Sequence, residues 1–148
     1  MTDPPPHRVA VVRRATAEDA TAIASLRDEA LAELAPLRGG LLYAAADLPE
    51  VSDRERPLWA GLVDGAVVGY LSGRVEERLG KVDAIYVDAR CRAVGVGEAM
   101  MASALEWFRA SDCIGVDAIA LPGARATKNF FEESGFTARL LIMHRPLG

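Results

Sequence analysis

Ile85-Tyr86-Val87-Asp88-Ala89-Arg90-Cys91-Arg92-Ala93-Val94-Gly95-Val96-Gly97-Glu98 carries an apolar strand into a glycine turn and on into a helix. Past the turn, Val96, Met100, Ala104, Trp107 and Phe108 recur at helical spacing, and the pattern ends near Asp112. A helix N-terminus offers up to four backbone N–H groups without intrahelical partners, at the positive end of the dipole, so it is a ready seat for phosphate. Glycines at 95 and 97 let such a ligand approach the backbone, and Arg90 and Arg92 add positive charge. Two glycines also ease a tight strand-to-helix turn, and a bare Gly-x-Gly does not choose between the two readings.

Working outward, Leu58–Val63 and a run from Ala66 to about Glu77 flank Asp64-Gly65, a dipeptide suited to a two-residue hairpin turn. A third strand begins after Gly80 and carries Val82, Ala84, Ile85, Tyr86 and Val87, which makes a three-stranded antiparallel meander. Upstream, Val9, Val11 and Val12 predict a strand over 8–14. Thr16 with Asp19 is a capping-box-like start to an amphipathic helix over 17–35, along Ala20, Ile23, Ala24, Ala30, Leu31 and Leu34. Residues 37–56 hold Leu41-Leu42-Tyr43 and then mixed charges, with no assignable period. Downstream, Val116–Leu121 reads as a strand, Ala124–Ser134 as a helix closed by Gly135, and Phe136–Arg145 as a last strand. The order β, α, irregular, β, β, β, α, β, α, β predicts an α/β (α+β) fold. Its sheet is mixed, mostly antiparallel and twisted, with about six strands, and a strand–helix–parallel-strand crossover helps to place helices on both faces.

At 148 residues the chain is one domain, with residues 1–7 expected as a disordered proline-rich tail and 8–148 as the folded unit. Its 51% hydrophobic and 26% charged residues lie near the average for globular proteins. Cys91 and Cys113 form no CxxC pair, and with only His7 and His144 in the chain no metal site is expected. Seventeen Lys and Arg against 21 Asp and Glu give a formal charge of −4, which argues against a nucleic-acid partner. No apolar run approaches the roughly 18 residues of a membrane helix, and Arg13-Arg14 interrupts the N-terminal apolar stretch too early for a signal peptide. A cytoplasmic location without membrane attachment is the expectation.

Arg92-Ala93-Val94-Gly95-Val96-Gly97, after a strand ending in Tyr-Val, matches the R/Q-x-x-G-x-G/A pattern of the GNAT superfamily of acyl-CoA N-acyltransferases. Thr127-Lys128-Asn129-Phe130-Phe131-Glu132-Glu133-Ser134-Gly135-Phe136 resembles that family's second signature, a helix ending in aromatic-x-x-x-Gly-Phe. The resemblance spans roughly residues 8–145. A dinucleotide-binding oxidoreductase fits poorly, because the third glycine of its GxGxxG pattern falls on Met100 and antiparallel strands precede the turn.

The resemblance implies acetyl-CoA as cosubstrate, with its pantetheine arm along Ile85, Tyr86 and Val87. The diphosphate is then expected on N–H groups of Ala93, Val94, Gly95, Val96, Gly97 and Glu98, with Arg92, Asn129 and Phe131 also on the cofactor side. Arg90, Arg125 and Lys128 favour a polyanionic tail, or are solvated surface charge. The acceptor is a primary amine of a small molecule or peptide, and its proton must pass to a base. Asp83, four residues before Val87, is the first candidate, with Asp117 and Glu77 in reserve. A backbone N–H near Val87 is the expected oxyanion donor. The family's usual acid, a tyrosine, falls on Phe131, and an asparagine often found at the start of that helix falls on Ala124. Tyr86 or a water is the substitute acid, unless the thiolate leaves unassisted. These departures leave open a catalytically weak or inactive acyl-CoA-binding or sensing module. Asp47, Glu50, Asp53 and Glu55 in the 37–56 stretch suggest a cationic acceptor such as a polyamine, aminoglycoside or lysine side chain, or are a solvated loop. Family members commonly end in two strands after the final helix. Here only Phe136–Gly148 remains, so either one strand is missing or a second copy completes the sheet edge as a homodimer.

Overall fold

The computed structural model describes residues 9–40 and 48–148. The expected tail over 1–7, the run Leu41-Leu42-Tyr43 and Asp47 lie outside the described residues. Five strands form one sheet in the order β1 (Ala10–Arg14), β2 (Leu58–Val63), β3 (Ala66–Glu76), β4 (Leu79–Val87) and β5 (Gly115–Ala118). The first three pairings are antiparallel and β4–β5 is parallel. Asp64 and Gly65 both take positive φ, 52° and 79°, the geometry that lets a two-residue loop follow the strands' right-handed twist.

Helix α1 (Ala20–Leu34) covers one face and α2 (Val96–Ala110) the other, as the alternation along the strands dictates. On β2, Leu58, Ala60 and Leu62 pack with Ile23, Leu26 and Ala30 of α1, while Trp59 and Val63 pack with Met100, Ala104 and Phe108 of α2. Every β2 side chain is buried, which is why the strand reads as a continuous apolar run. The start of α1 is pinned by Asp19, whose carboxylate accepts the Thr16 backbone N–H at 2.8 Å and Arg13 Nη2 at 3.0 Å. The expected capping box is therefore present, and the first turn over Ala17–Asp19 winds as a 3-10 helix.

Two expectations need correction. β5 is shorter than predicted, ending at Ala118 rather than Leu121. The sixth strand, Phe136–Arg145, does not form, so the sheet has five strands among the described residues. A strand at that place needs both a backbone partner and cover for its side chains. Arg139 reaches back to Asp117 on β5, yet Leu140, Leu141, Ile142 and Met143 remain 73–83% exposed.

Candidate functional site

Two irregularities in β4 open the site. Pairing with β3 jumps from Ser72 opposite Ala84 to Gly73 opposite Val82, so Asp83 is an extra residue in a β-bulge. The bulge reverses the side-chain alternation. Val82 packs on the α2 side, whereas Ala84 and Tyr86 turn to the α1 side. Pairing with β5 covers only Leu79–Val82 and ends at the same place, so the remaining half of β4 has an open edge. The Asp88 N–H donates to the Val68 carbonyl on β3 at 2.7 Å. Strand alternation then sends the N–H groups of Ile85 and Val87 the other way, into the gap that β5 leaves.

A cavity of about 470 Å³ fills that gap. Its walls come from β4 over Val82–Val87, from Ile119 and Leu121 beyond β5, and from α3 (Arg125–Glu133) through Arg125, Thr127, Phe130 and Phe131. Ala30, Glu33 and Leu34 of α1 close its other side, and Gly97 and Glu98 of α2 form one end. Most of this lining is apolar, with a few polar groups converging on it, the usual make-up of a small-molecule site.

The two glycines of the turn have different jobs. Gly95 stands at φ +84° between the 3-10 turn Ala89–Val94 and α2, a left-handed conformation that a side chain disfavours. Gly97 has an ordinary φ, but a Cβ there would lie 3.2 Å from Phe130 Cε2. Its missing side chain lets α3 pack against the start of α2. No side chain caps α2, and the Ala99 N–H donates to the Gly95 carbonyl at 3.1 Å, the i to i−4 bond that starts the helical ladder. The N–H groups of Val96, Gly97 and Glu98 are thus the orphan donors of the helix end.

The charged groups are arranged differently from their sequence order. Arg90 is held by the carboxylate of buried Asp88, 2.7 Å from Nη2 to Oδ2, and that hydrogen bond leads the causes that draw the Asp88 carboxyl down to about 2. Arg92 turns to α1. Its Nη2 lies 2.9 Å from each Glu33 carboxylate oxygen, and its Nε donates to the Val87 carbonyl at 3.0 Å. Lys128 pairs with Glu132 one helical turn on, at 3.6 Å. Of the four cations, Arg92 and Arg125 line the cavity.

Ile85, Tyr86, Val87, Gly97, Glu98 and Phe131 line it as well. Ala93, Val94 and Gly95 form the adjoining turn outside the lining, Val96 is buried beneath it, and Asn129 is exposed on α3 away from the cavity. Asp83 faces the cavity and accepts Arg74 Nε at 3.1 Å. Tyr86 donates its hydroxyl to Glu33 at 3.1 Å, with Glu29 at 3.4 Å. Burial first, and then the nearby Glu33 carboxylate, push the phenol up to about 12. Asp117 is tied to Arg139 and Glu77 occupies the β3–β4 turn, so neither reserve base reaches the cavity lining. Of the 37–56 stretch, Leu37 and Leu48 reach the lining. Asp53 instead caps a turn, accepting the Glu55 N–H at 3.0 Å. Glu33 is the carboxylate that the sequence reading missed. The apolar stripe Ala30, Leu31 and Leu34 on either side of it was the available signal.

A sequence profile described as the acetyltransferase (GNAT) family matches residues 21–136. The chain belongs to the acetyltransferase (GNAT) family. This GNAT protein is accordingly an acyl-CoA-dependent N-acetyltransferase, and its fold is shared by solved structures. The tetramutant of the BH1408 protein from Bacillus halodurans is 14% identical, covers 93% of this chain and 99% of its own, and has a TM-score of 0.74. A Trypanosoma brucei acetyltransferase is 20% identical over 94% and 100%, with a TM-score of 0.67. The aminoglycoside N-acetyltransferase AAC(6')-Iy in complex with CoA is 16% identical over 96% and 97%, with a TM-score of 0.72. No curated protein sequence matches the chain. Among the described residues of this GNAT domain, no group of three His, Cys, Asp or Glu could hold a metal ion, and no helix is long and apolar enough to cross a membrane.

Proposed function

We propose that the protein transfers the acetyl group of acetyl-CoA to a primary amine of a small molecule or peptide, by direct attack within a ternary complex. The observation that carries this reading is the divergence of β5 from β4 after Val82, which leaves the Ile85 and Val87 amides facing the cavity. A pantetheine amide added along that edge takes the place of a strand. The diphosphate then reaches the uncapped first turn of α2, and Arg125 lies across the cavity for the remaining phosphate charge.

In the transfer step the amine lone pair forms the C–N bond at the thioester carbonyl and the C–S bond breaks. The Val87 N–H donates to the developing oxyanion, a role that fixed backbone dipoles fill without reorganisation. Asp83, in the bulge, takes the proton that the nitrogen sheds, directly or through one water. Phe131 has no proton to give and Tyr86 is committed to Glu33, so the sulfur leaves as thiolate. With a thiol pKa of about 8.5 it does so near neutral pH without help.

The deciding experiment is acetyl-CoA with a panel of polyamines, aminoglycosides and lysine peptides, followed by CoA release. Amine-dependent release supports the reading. A second reading, an acyl-CoA sensor without turnover, draws on Phe131 and on the Arg74 guanidinium against Asp83. Calorimetric binding of acetyl-CoA beside a silent assay over the whole panel would establish it instead.

A further inference from the structure

The two sides of the sheet do not use all of the cavity wall for packing. Leu31, Leu34 and Leu37 follow one another along one side of α1 and the turn after it, are half-buried, and line the cavity. None of the three belongs to either core cluster or packs against one among the described residues. Half-buried apolar surface that faces a cavity without joining the core is surface for a ligand. Leu48 continues that wall, and Tyr70 and Ala84 of the α1-side cluster form its floor on β3 and β4. Over the top the chain closes with apolar contacts. A Cβ at Gly123 would lie 3.5 Å from Leu37 Cδ2, and one at Gly39 would lie 3.6 Å from Leu121 Cδ2, so the turn after α1 meets the loop before α3.

Charge points the same way. Among the described residues three carboxylates and three guanidiniums line the cavity: Glu33, Asp83 and Glu98 against Arg27, Arg92 and Arg125. Both oxygens of Glu33 are held by Arg92 Nη2 at 2.9 Å, and Asp83 accepts Arg74 Nε at 3.1 Å. Glu98 stands in the first turn of α2, at the diphosphate end. Glu50, Asp53 and Glu55, the acids that the sequence offered for a cationic acceptor, lie outside the lining.

We propose that the acceptor is a primary monoamine on an apolar body, an alkyl chain or an aromatic ring, rather than a polyamine or an aminoglycoside. This rests on the transfer reading above. One nitrogen approaches the thioester beside Asp83, and the body lies along Leu31, Leu34 and Leu37. Each methylene buried there strengthens binding by roughly two- to fourfold. A second ammonium on the same body would leave water among leucines, or would have to displace Arg92 from Glu33, with Arg27 on the same wall opposing it.

The test adds propylamine, hexylamine and hexamethylenediamine to the acceptor panel, at one pH and one ionic strength. The diamine keeps the chain of hexylamine and adds only the second charge. With acetyl-CoA, kcat/KM for hexylamine is expected to exceed that for propylamine, and that for hexamethylenediamine, by about tenfold or more in each case. Leu34→Glu places a carboxylate in the apolar wall and is expected to reverse the preference between the two longer amines, with far-UV circular dichroism as the check on folding. Leu37→Glu, in the turn beyond the helix, is expected to do the same. Calorimetry of both amines into CoA-saturated protein reads that order without turnover, and so separates the two readings. Tighter binding of hexylamine beside a silent transfer assay would sink the transfer reading and leave the apolar site standing. A diamine or spermidine that matches or exceeds hexylamine, in turnover or in binding, overturns the proposal while transfer stands. Failure of either amine to bind the CoA-saturated protein overturns it as well.

Discussion

Arg92 spends its guanidinium on Glu33, with Nη2 at 2.9 Å from both carboxylate oxygens, and thereby ties the end of β4 to α1. The same arginine opens the R-x-x-G-x-G turn, where an incoming diphosphate competes for it. Both side chains are 47% exposed, so the pair contributes at most about 1 kcal/mol. Glu33→Gln is expected to tighten acetyl-CoA binding by roughly two- to fivefold, as calorimetry would report. It is also expected to lower the Tyr86 phenol from about 12 while leaving it above its ordinary value of 10.0, because burial, the larger cause, persists. A spectrophotometric titration of the phenolate separates the two effects.

The turn glycines fail in different ways when replaced. Gly95→Ala forces a side chain onto φ +84°, which costs about 1–2 kcal/mol and lowers Tm by a few degrees, with a smaller effect on ligand affinity. Gly97→Val pushes branched carbons toward Phe130, already 3.2 Å from a bare Cβ, and separates α3 from α2 at the end of the cavity. Acetyl-CoA affinity is expected to fall more than tenfold there. Thermal melts and calorimetry on both variants distinguish a backbone requirement from a packing one.

Much of this arrangement was legible because period and turn chemistry are local. The Asp64-Gly65 hairpin, the α2 stripe and the glycine turn all formed where their residues placed them. What was not legible depends on partners distant in sequence. The bulge at Asp83 exists only in the pairing with β3, and no pattern within 79–87 announces it. Arg92 was expected to face phosphate, but 59 residues separate it from the Glu33 that holds it. The final segment is apolar enough to read as a strand, yet strand formation needs a seat. Among the described residues its own chain supplies an ion pair at Asp117 and no ladder.

Asp83→Asn tests the proposed base. It keeps the size of the side chain and an oxygen for Arg74 Nε, so the bulge is expected to survive. Loss of a positioned general base typically costs about 10²–10⁴-fold, so kcat/KM is expected to fall in that range while acetyl-CoA affinity stays within twofold. Activity within threefold of wild type would remove Asp83 from the mechanism and leave water as the proton acceptor.

Two buried carboxylates set the acid limit of the fold. Asp19, beside Arg13, and Asp88, beside Arg90, each fall from 3.8 to about 2 in the folded chain. A depressed carboxyl contributes stability above its unfolded pKa and loses that contribution as pH falls through the folded value. Tm is therefore expected to hold constant from neutrality to about pH 4 and to drop between pH 4 and 2. Asp19→Asn is expected to lower Tm at pH 7 and to flatten the drop, which melts across that range measure directly.

The same logic fixes the alkaline side of the rate profile. An enzyme that relies on a general acid loses kcat as that acid deprotonates. In this cavity Phe131 has no ionisable hydrogen, and Tyr86 keeps its proton to about 12. The kcat profile is expected to rise as the acceptor amine deprotonates, and then to run flat to at least pH 10. Phe131→Tyr adds a phenol at a site 6% exposed, close to the expected position of sulfur. If that hydroxyl reaches the thiolate, an alkaline decline should appear in the variant above pH 10, since burial pushes a phenol there upward as it does Tyr86. A decline already present in the wild type below pH 10 would contradict unassisted departure of the thiolate.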